Sequence, residues 1–125
     1  MMVSRRIARL NEQVRSDIAE LITREMKDPR LAGLVSVTSV ELSPDLRNAR
    51  VFISVLGSDL ERKQTLQAIR SAAGFLRTQL AARMTTKRAP ELHFLLDTSI
   101  ERGERIMHLI HQIEKEPKGE DEPND

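Results

Sequence analysis

The sequence predicts an α+β fold in which helices cover one small sheet, and three observations predict it. Stretches 7–22 and 66–80 repeat apolar residues at spacings of three and four, the mark of helices with one buried face. Stretches 35–42, 49–56 and 92–96 are rich in β-branched or alternating apolar residues, as half-buried strands are. With a further apolar stripe after Ser99, the order is helix, strand, strand, bent helix, strand, helix. Helices that share a core with a three-stranded sheet form two layers.

Each element has its own signals. Ser4 is placed to cap the first helix, and Ile7, Leu10, Val14, Ile18, Leu21 and Ile22 then share one face. Asp28 precedes Pro29, and a residue before proline resists helical dihedrals, so this helix should end near Met26. Arg5, Arg6 and Arg9 crowd its start, and Arg24, Lys27 and Arg30 its end. Glu12, Asp17 and Glu20 lie between, so the middle reads as a solvated face with local pairs such as Glu20–Arg24. In 35–42, Val35 and Val37 share one parity and Val40 and Leu42 the other, which a bulge near Thr38 and Ser39 would reconcile. Ser43-Pro44-Asp45-Leu46-Arg47 is a turn. In 49–56, Ala49, Val51, Ile53 and Val55 face one way and Arg50, Phe52 and Ser54 the other, which completes a β-hairpin.

Gly57 stops that strand, and Ser58 with Glu61 has capping-box spacing for a second helix running to about Met84. Leu66, Ile69, Ala73, Leu76 and Leu80 make its buried face. Phe75 is out of phase, and it follows Gly74, a residue that costs about 1 kcal/mol relative to alanine inside a helix. A bend within 71–75 is expected to reset the phase and turn Phe75 into the core. The alternative for Phe75 is an exposed stacking platform of the kind single-strand binders use. After a polar, basic loop over 85–90, Leu92, Phe94 and Leu96 alternate in a third strand. Thr98 and Glu101 have capping-box spacing for a last helix, with Gly103, Ile106, Met107, Ile110 and Ile113 on one face. From Glu114 the chain has two prolines, a glycine and almost nothing apolar, so disorder is expected. The expected organisation is one domain over 1–113 and an acidic tail over 114–125.

Charge narrows the function. The formal net charge of +1 divides into +5 over residues 1–113 and −4 over 114–125. Between Glu61 and Glu91 there is no acidic residue, while Arg62, Lys63, Arg70, Arg77, Arg83, Lys87 and Arg88 all lie there. A helix with a small-residue bend and only positive charge suits a phosphate backbone. Arg70 and Arg77 flank Gly74 on one side, with Lys63 one repeat earlier. Glycine lets a phosphate approach the backbone, and two guanidinium groups hold it from both sides. Arg47 and Arg50 join this track only if the fold brings them round. The alternative reading is a solvated helix face.

Other classes find little support. There is no cysteine, which excludes disulfides, thiolate chemistry and cysteine-based zinc sites. No apolar run is long enough to span a membrane, and the N-terminus lacks the apolar stretch of a secretory signal, so a cytoplasmic protein is expected. Three phenylalanines with no Tyr or Trp argue against an RRM, whose sheet needs paired aromatics. His108 and His111 sit three apart without a third ligand, so no metal is expected. Asp97, Glu101 and Glu104 are explained by capping and dipole compensation rather than acid–base work. No nucleophile–histidine–acid arrangement, glycine-rich phosphate loop or HExxH motif appears, so neither catalysis nor a cofactor is expected. A protein–protein adaptor with an incidental basic face and a small enzyme with an unrecognised site remain the competing classes.

A hairpin followed by helix, bend, helix and a third strand is also the layout of KH domains, most of which clamp nucleic-acid backbone with a GXXG loop at the bend. Here Ala72, Ala73 and Gly74 stand in that place. The chain resembles the ribosome-binding factor A family over nearly all of residues 3–113. The resemblance rests on VTSVELSPDLRNARVFISVLG (37–57), SAAGFLRTQLAARMTTKRAPELHF (71–94) and DTSIERGERI (97–106). The Ala72–Gly74 step matches the family's Ala-x-Gly interhelical kink, which replaces GXXG in a type II KH fold. The resemblance implies a single KH-like (type II) domain that binds 16S ribosomal RNA in the immature 30S subunit. It further implies late maturation of that RNA, including growth in the cold. A monomer without cofactor or membrane is expected. The RNA face is inferred to comprise Arg5, Arg6, Arg9, Arg47, Arg50, Lys63, Arg70, Arg77, Arg83, Lys87 and Arg88.

Overall fold

In the computed structural model of the chain, which describes residues 5–26, 35–99 and 110, six elements follow one another. They are α1 (Arg5–Glu25), β1 (Val35–Leu42), β2 (Asn48–Val55), α2 (Asp59–Ser71), α3 (Ala73–Arg83) and β3 (Glu91–Leu96). The Ser4 cap, Lys27 and Arg30, the last helix beyond Ser99 with His108 and His111, and the acidic tail lie outside the described residues, apart from Ile110.

Parity explains the sheet. Its order is β1-β2-β3, with β1 antiparallel and β3 parallel to β2. Val37 pairs with Ile53 and Ser39 with Phe52, so Thr38 is the extra residue of a bulge. The bulge shifts the alternation by one, and Val37 and Val40 both turn into the core. Thr38 does not go unpartnered: its Oγ1 lies 2.7 Å from Asp97 Oδ2 and 3.2 Å from the Phe52 carbonyl. Ala49, Val51, Ile53 and Val55 of β2 and Leu92 and Phe94 of β3 face the same core. The helices close it. Val14, Ile18, Leu21 and Ile22 bury the stripe of α1, while Ile69, Leu76 and Leu80 bury that of α2 and α3. Each such side chain is worth about 1.5–3 kcal/mol of apolar burial. α1 packs on β1 and α3, and α2 and α3 both pack on β3.

Helix side chains also cover the sheet edges. Asn11 Oδ1 accepts the Leu42 N–H at 3.0 Å, and Arg15 Nη1 donates to the Val37 carbonyl at 3.3 Å. On the other edge, Arg70 reaches the Phe94 carbonyl. Each edge group bonded in this way is closed to another strand.

The start of α2 depends on Gly57. Its φ of +143° is a conformation that L side chains rarely adopt. The capping box that follows is complete: Glu61 N–H donates to Ser58 Oγ at 3.1 Å, and Ser58 N–H donates to Glu61 Oε1 at 2.8 Å. The Ser58 backbone and hydroxyl hold the Glu61 carboxyl below the usual carboxylate range. Its stabilisation is therefore present above the unfolded pKa and lost as pH falls through the folded one. A Cβ on Gly57 would sit 2.8 Å from Glu61 Oε1. Gly57→Ala should lower stability by about 1–3 kcal/mol through the strained φ and the displaced carboxylate, read as a lower urea midpoint at pH 7.

Candidate nucleic-acid interface

The helix covering β3 breaks at one residue. Ala72 has φ −94° and ψ 5°, and its N–H is shared between the Ala68 carbonyl at 3.2 Å and the Ile69 carbonyl at 3.0 Å. Ala72 and Ala73 are half-buried against the core, whereas Gly74 is exposed and a Cβ there would meet nothing within 4 Å. α3 begins without a side-chain cap and without an acidic residue in its first turn. The first N–H groups of a helix have no partner within it, so this start presents partial positive charge.

Phe75 corrects the reading of the bend. It is 46% exposed, not part of the core. Thr65, Ile69, Leu76 and Leu80 are buried at spacings of four, seven and four, one helical period carried straight across the break. The break interrupts the hydrogen bonding but leaves the buried side in phase, and Phe75 stays outside.

The inferred cations, with their neighbour Arg62, fall into three groups. Arg83, Arg50 and Arg62 are neutralised. Arg83 Nη1 lies 2.6 Å from Glu20 Oε1 and 3.4 Å from Asp17 Oδ1, tying α3 to α1. Arg83, and after it Arg24, holds the Glu20 carboxyl below its ordinary range. Arg50 pairs with Glu41 on the outer face of the sheet and stands 6.0 Å over the Phe52 ring, and Arg62 pairs with Asp59.

A second group is anchored by backbone carbonyls and keeps its charge. Arg70 donates Nε and Nη2 to the Phe94 carbonyl at 3.1 and 2.8 Å, and Arg77 donates Nε to the Ala89 carbonyl at 3.1 Å. A guanidinium has five N–H donors, so both retain donors, and both side chains are exposed. Lys87 sits at φ 58° and reaches the Ala82 carbonyl at 3.3 Å.

The third group, Arg5, Arg6, Arg9, Lys63 and Arg88, is exposed and has no carboxylate partner among the described residues. Arg47, also exposed, has Asp45 beside it, whose Oδ1 accepts the Arg47 N–H at 3.0 Å. Three arginines at the positive end of α1 oppose its dipole, so helix stability does not account for them. Arg47 is brought round: its carbonyl accepts the Glu91 N–H at 2.8 Å, which sets the hairpin turn against the end of the basic loop. The result is a run of cations without carboxylate partners among the described residues along α2, α3 and the loop, with Arg47 of the hairpin turn at its end beside Asp45. The Arg83 link was not legible in the sequence, since its partners lie 63 and 66 positions away. Among the described residues no group of three potential ligands is placed to hold a metal ion.

A family model for ribosome-binding factor A matches residues 6–110. The chain belongs to the ribosome-binding factor A family. It is 51% identical over 115 residues to the ribosome-binding factor A of Thermomicrobium roseum, covering 92% of this chain and 88% of that one. It is 43% identical over 120 residues to that of Acetivibrio thermocellus, covering 96% and 98%. Among solved structures, the crystal structure of ribosome-binding factor A from Thermus thermophilus superposes with a TM-score of 0.64 at 32% identity, over 72% of this chain and 93% of that one. A homology model of Thermus thermophilus ribosome-binding factor A, fitted into the cryo-EM map of its complex with the 30S subunit, superposes with a TM-score of 0.61 at 32% identity, over 74% and 96%. The mixed three-stranded sheet and its helices thus have the α+β, KH-like fold of the family.

Proposed function

We propose that the chain is a non-catalytic, monomeric assembly factor of the cytoplasm that binds 16S ribosomal RNA in the immature 30S subunit and promotes its late maturation, including in the cold. The binding unit in this reading is residues 1–113, with 114–125 an acidic tail. The observation that carries it is the run of Lys63, Arg70, Arg77, Lys87 and Arg88, which has no carboxylate partner among the described residues and no acidic residue between Glu61 and Glu91. Arg62 and Arg83 of the same stretch do have carboxylate partners, so the five left over are not simply excess surface charge. The relative seen with a 30S subunit supports the choice of partner.

Phosphate contacts release counterions, so affinity should fall steeply with salt. Five contacts give a slope of roughly −3.5 to −4.5 in log affinity against log salt, a loss of about a hundredfold or more between 50 and 200 mM. Titrating the full chain onto immature 30S subunits and onto free 16S RNA across that range measures it. A flat profile would overturn the RNA reading in favour of a protein-facing adaptor.

A further inference from the structure

Phe75 is the exposed phenylalanine of the described residues, and it stands beside the helix break. Of the three phenylalanines, Phe94 is core and Phe52 lies half-buried on the outer sheet face under Arg50. Phe75 stands 46% exposed on the first turn of α3, next to Gly74. Its surroundings keep the ring open. One turn to either side are Ser71 and Thr78, and both hydroxyls fold back onto their own helix, Ser71 to the Gln67 carbonyl at 2.9 Å and Thr78 to the Gly74 carbonyl at 3.0 Å. Gly74 adds no side chain, and the space above it is empty. At 3.6 residues per turn, Gly74 lies on the exposed side of α3 between Arg77 on one flank and Phe75 on the other. A phosphate at Gly74 between these flanks would leave Phe75 within reach of the attached base.

We propose that Phe75 is a stacking platform for an unpaired base, so that this face selects single-stranded over duplex RNA. The inference rests on the RNA reading above. Base–aromatic stacking needs a free π-face on the nucleotide, which duplex RNA does not offer, and it tolerates any base. It therefore adds a preference for strand state, not for sequence, to contacts that are otherwise to phosphate.

The test uses the full chain with oligoadenylate, single-stranded or annealed to oligouridylate, at low salt. Phe75→Ala and Phe75→Leu should each weaken binding to the single strand by about five- to a hundredfold while leaving duplex binding unchanged, and Phe75→Tyr should bind like wild type. An abasic position that weakens wild-type binding should have no effect on Phe75→Ala. Phe75→Leu keeps an apolar side chain but removes the ring, so wild-type affinity in that variant overturns stacking, and so does equal loss on duplex. Wild-type affinity of Phe75→Ala for oligoadenylate, with loss confined to 30S subunits, assigns the ring to a protein contact and also overturns it. Wild-type protein that binds oligoadenylate without salt dependence fails the RNA reading itself. Steep salt dependence with indifference to every Phe75 variant fails the stacking inference alone.

Discussion

Phe94→Ala is expected to cost the fold about 3–5 kcal/mol, most of the stability of an ordinary domain at the low end of its 5–15 kcal/mol range. Phe94 is 2% exposed at the centre of β3, opposite Val51 of β2 and within the cluster formed by α1, α2 and α3. Truncation removes the largest fully buried side chain of the described residues and leaves a cavity lined by elements that cannot collapse together, because β3 is pinned at both ends. Glu91 N–H is held by the Arg47 carbonyl at 2.8 Å and Asp97 N–H by the Ile53 carbonyl at 2.7 Å. Urea denaturation followed by circular dichroism should show the midpoint collapse with an unchanged slope. Phe75→Ala in the same assay should move stability far less, by about 0.5 kcal/mol, since Phe75 stands outside the core and is 46% exposed. If the two variants were equally destabilised, the assignment of Phe94 to the core and Phe75 to the surface would be wrong.

The contrast between these two phenylalanines marks what the sequence makes legible. Local pattern was enough where local geometry decides. The parity switch between Val37 and Val40 located the bulge at Thr38, and Ser58 with Glu61 located the start of α2. The bounds of β2 differ from expectation by a single residue, running over Asn48–Val55 rather than 49–56. The small-residue step at Ala72 is where the helix breaks. What a bend does to phase was not legible, because it depends on how much the backbone turns, and here the period runs on unaltered from Ile69 to Leu76. Charge was legible as a count but not as a surface. Arg83 reads in sequence as one more cation of the basic stretch, yet packing of α3 on α1 sets it against Asp17 and Glu20. Arg70 reads as a free phosphate ligand, yet parallel pairing of β3 exposes the Phe94 carbonyl on the outer edge, and Arg70 covers it. Long-range contacts of this kind leave no periodic trace in the chain.

Those differences sort the basic residues into two classes with opposite expected behaviour. Lys63→Glu and Arg88→Glu, combined, should leave the fold intact and weaken binding to immature 30S subunits by well over tenfold at low salt. Neither side chain has a carboxylate partner among the described residues, so no folded ion pair is lost. The salt slope should become shallower by about one for each phosphate contact removed, and the loss should be similar across RNA sequences because phosphate carries no sequence information. Adding Arg77→Glu should deepen the loss while costing about 0.5–1.5 kcal/mol of stability, the value of its bond to the Ala89 carbonyl. Arg83→Glu is the counter-case. It places a third carboxylate beside Asp17 and Glu20, so it should lower stability by about 1–2 kcal/mol while leaving the salt slope of the folded protein unchanged. Melting curves and salt titrations on these three variants and the wild type separate the classes. Should Arg83→Glu flatten the salt slope while Lys63→Glu with Arg88→Glu does not, the interface lies on the α1 side of the molecule, where Arg5, Arg6 and Arg9 are exposed.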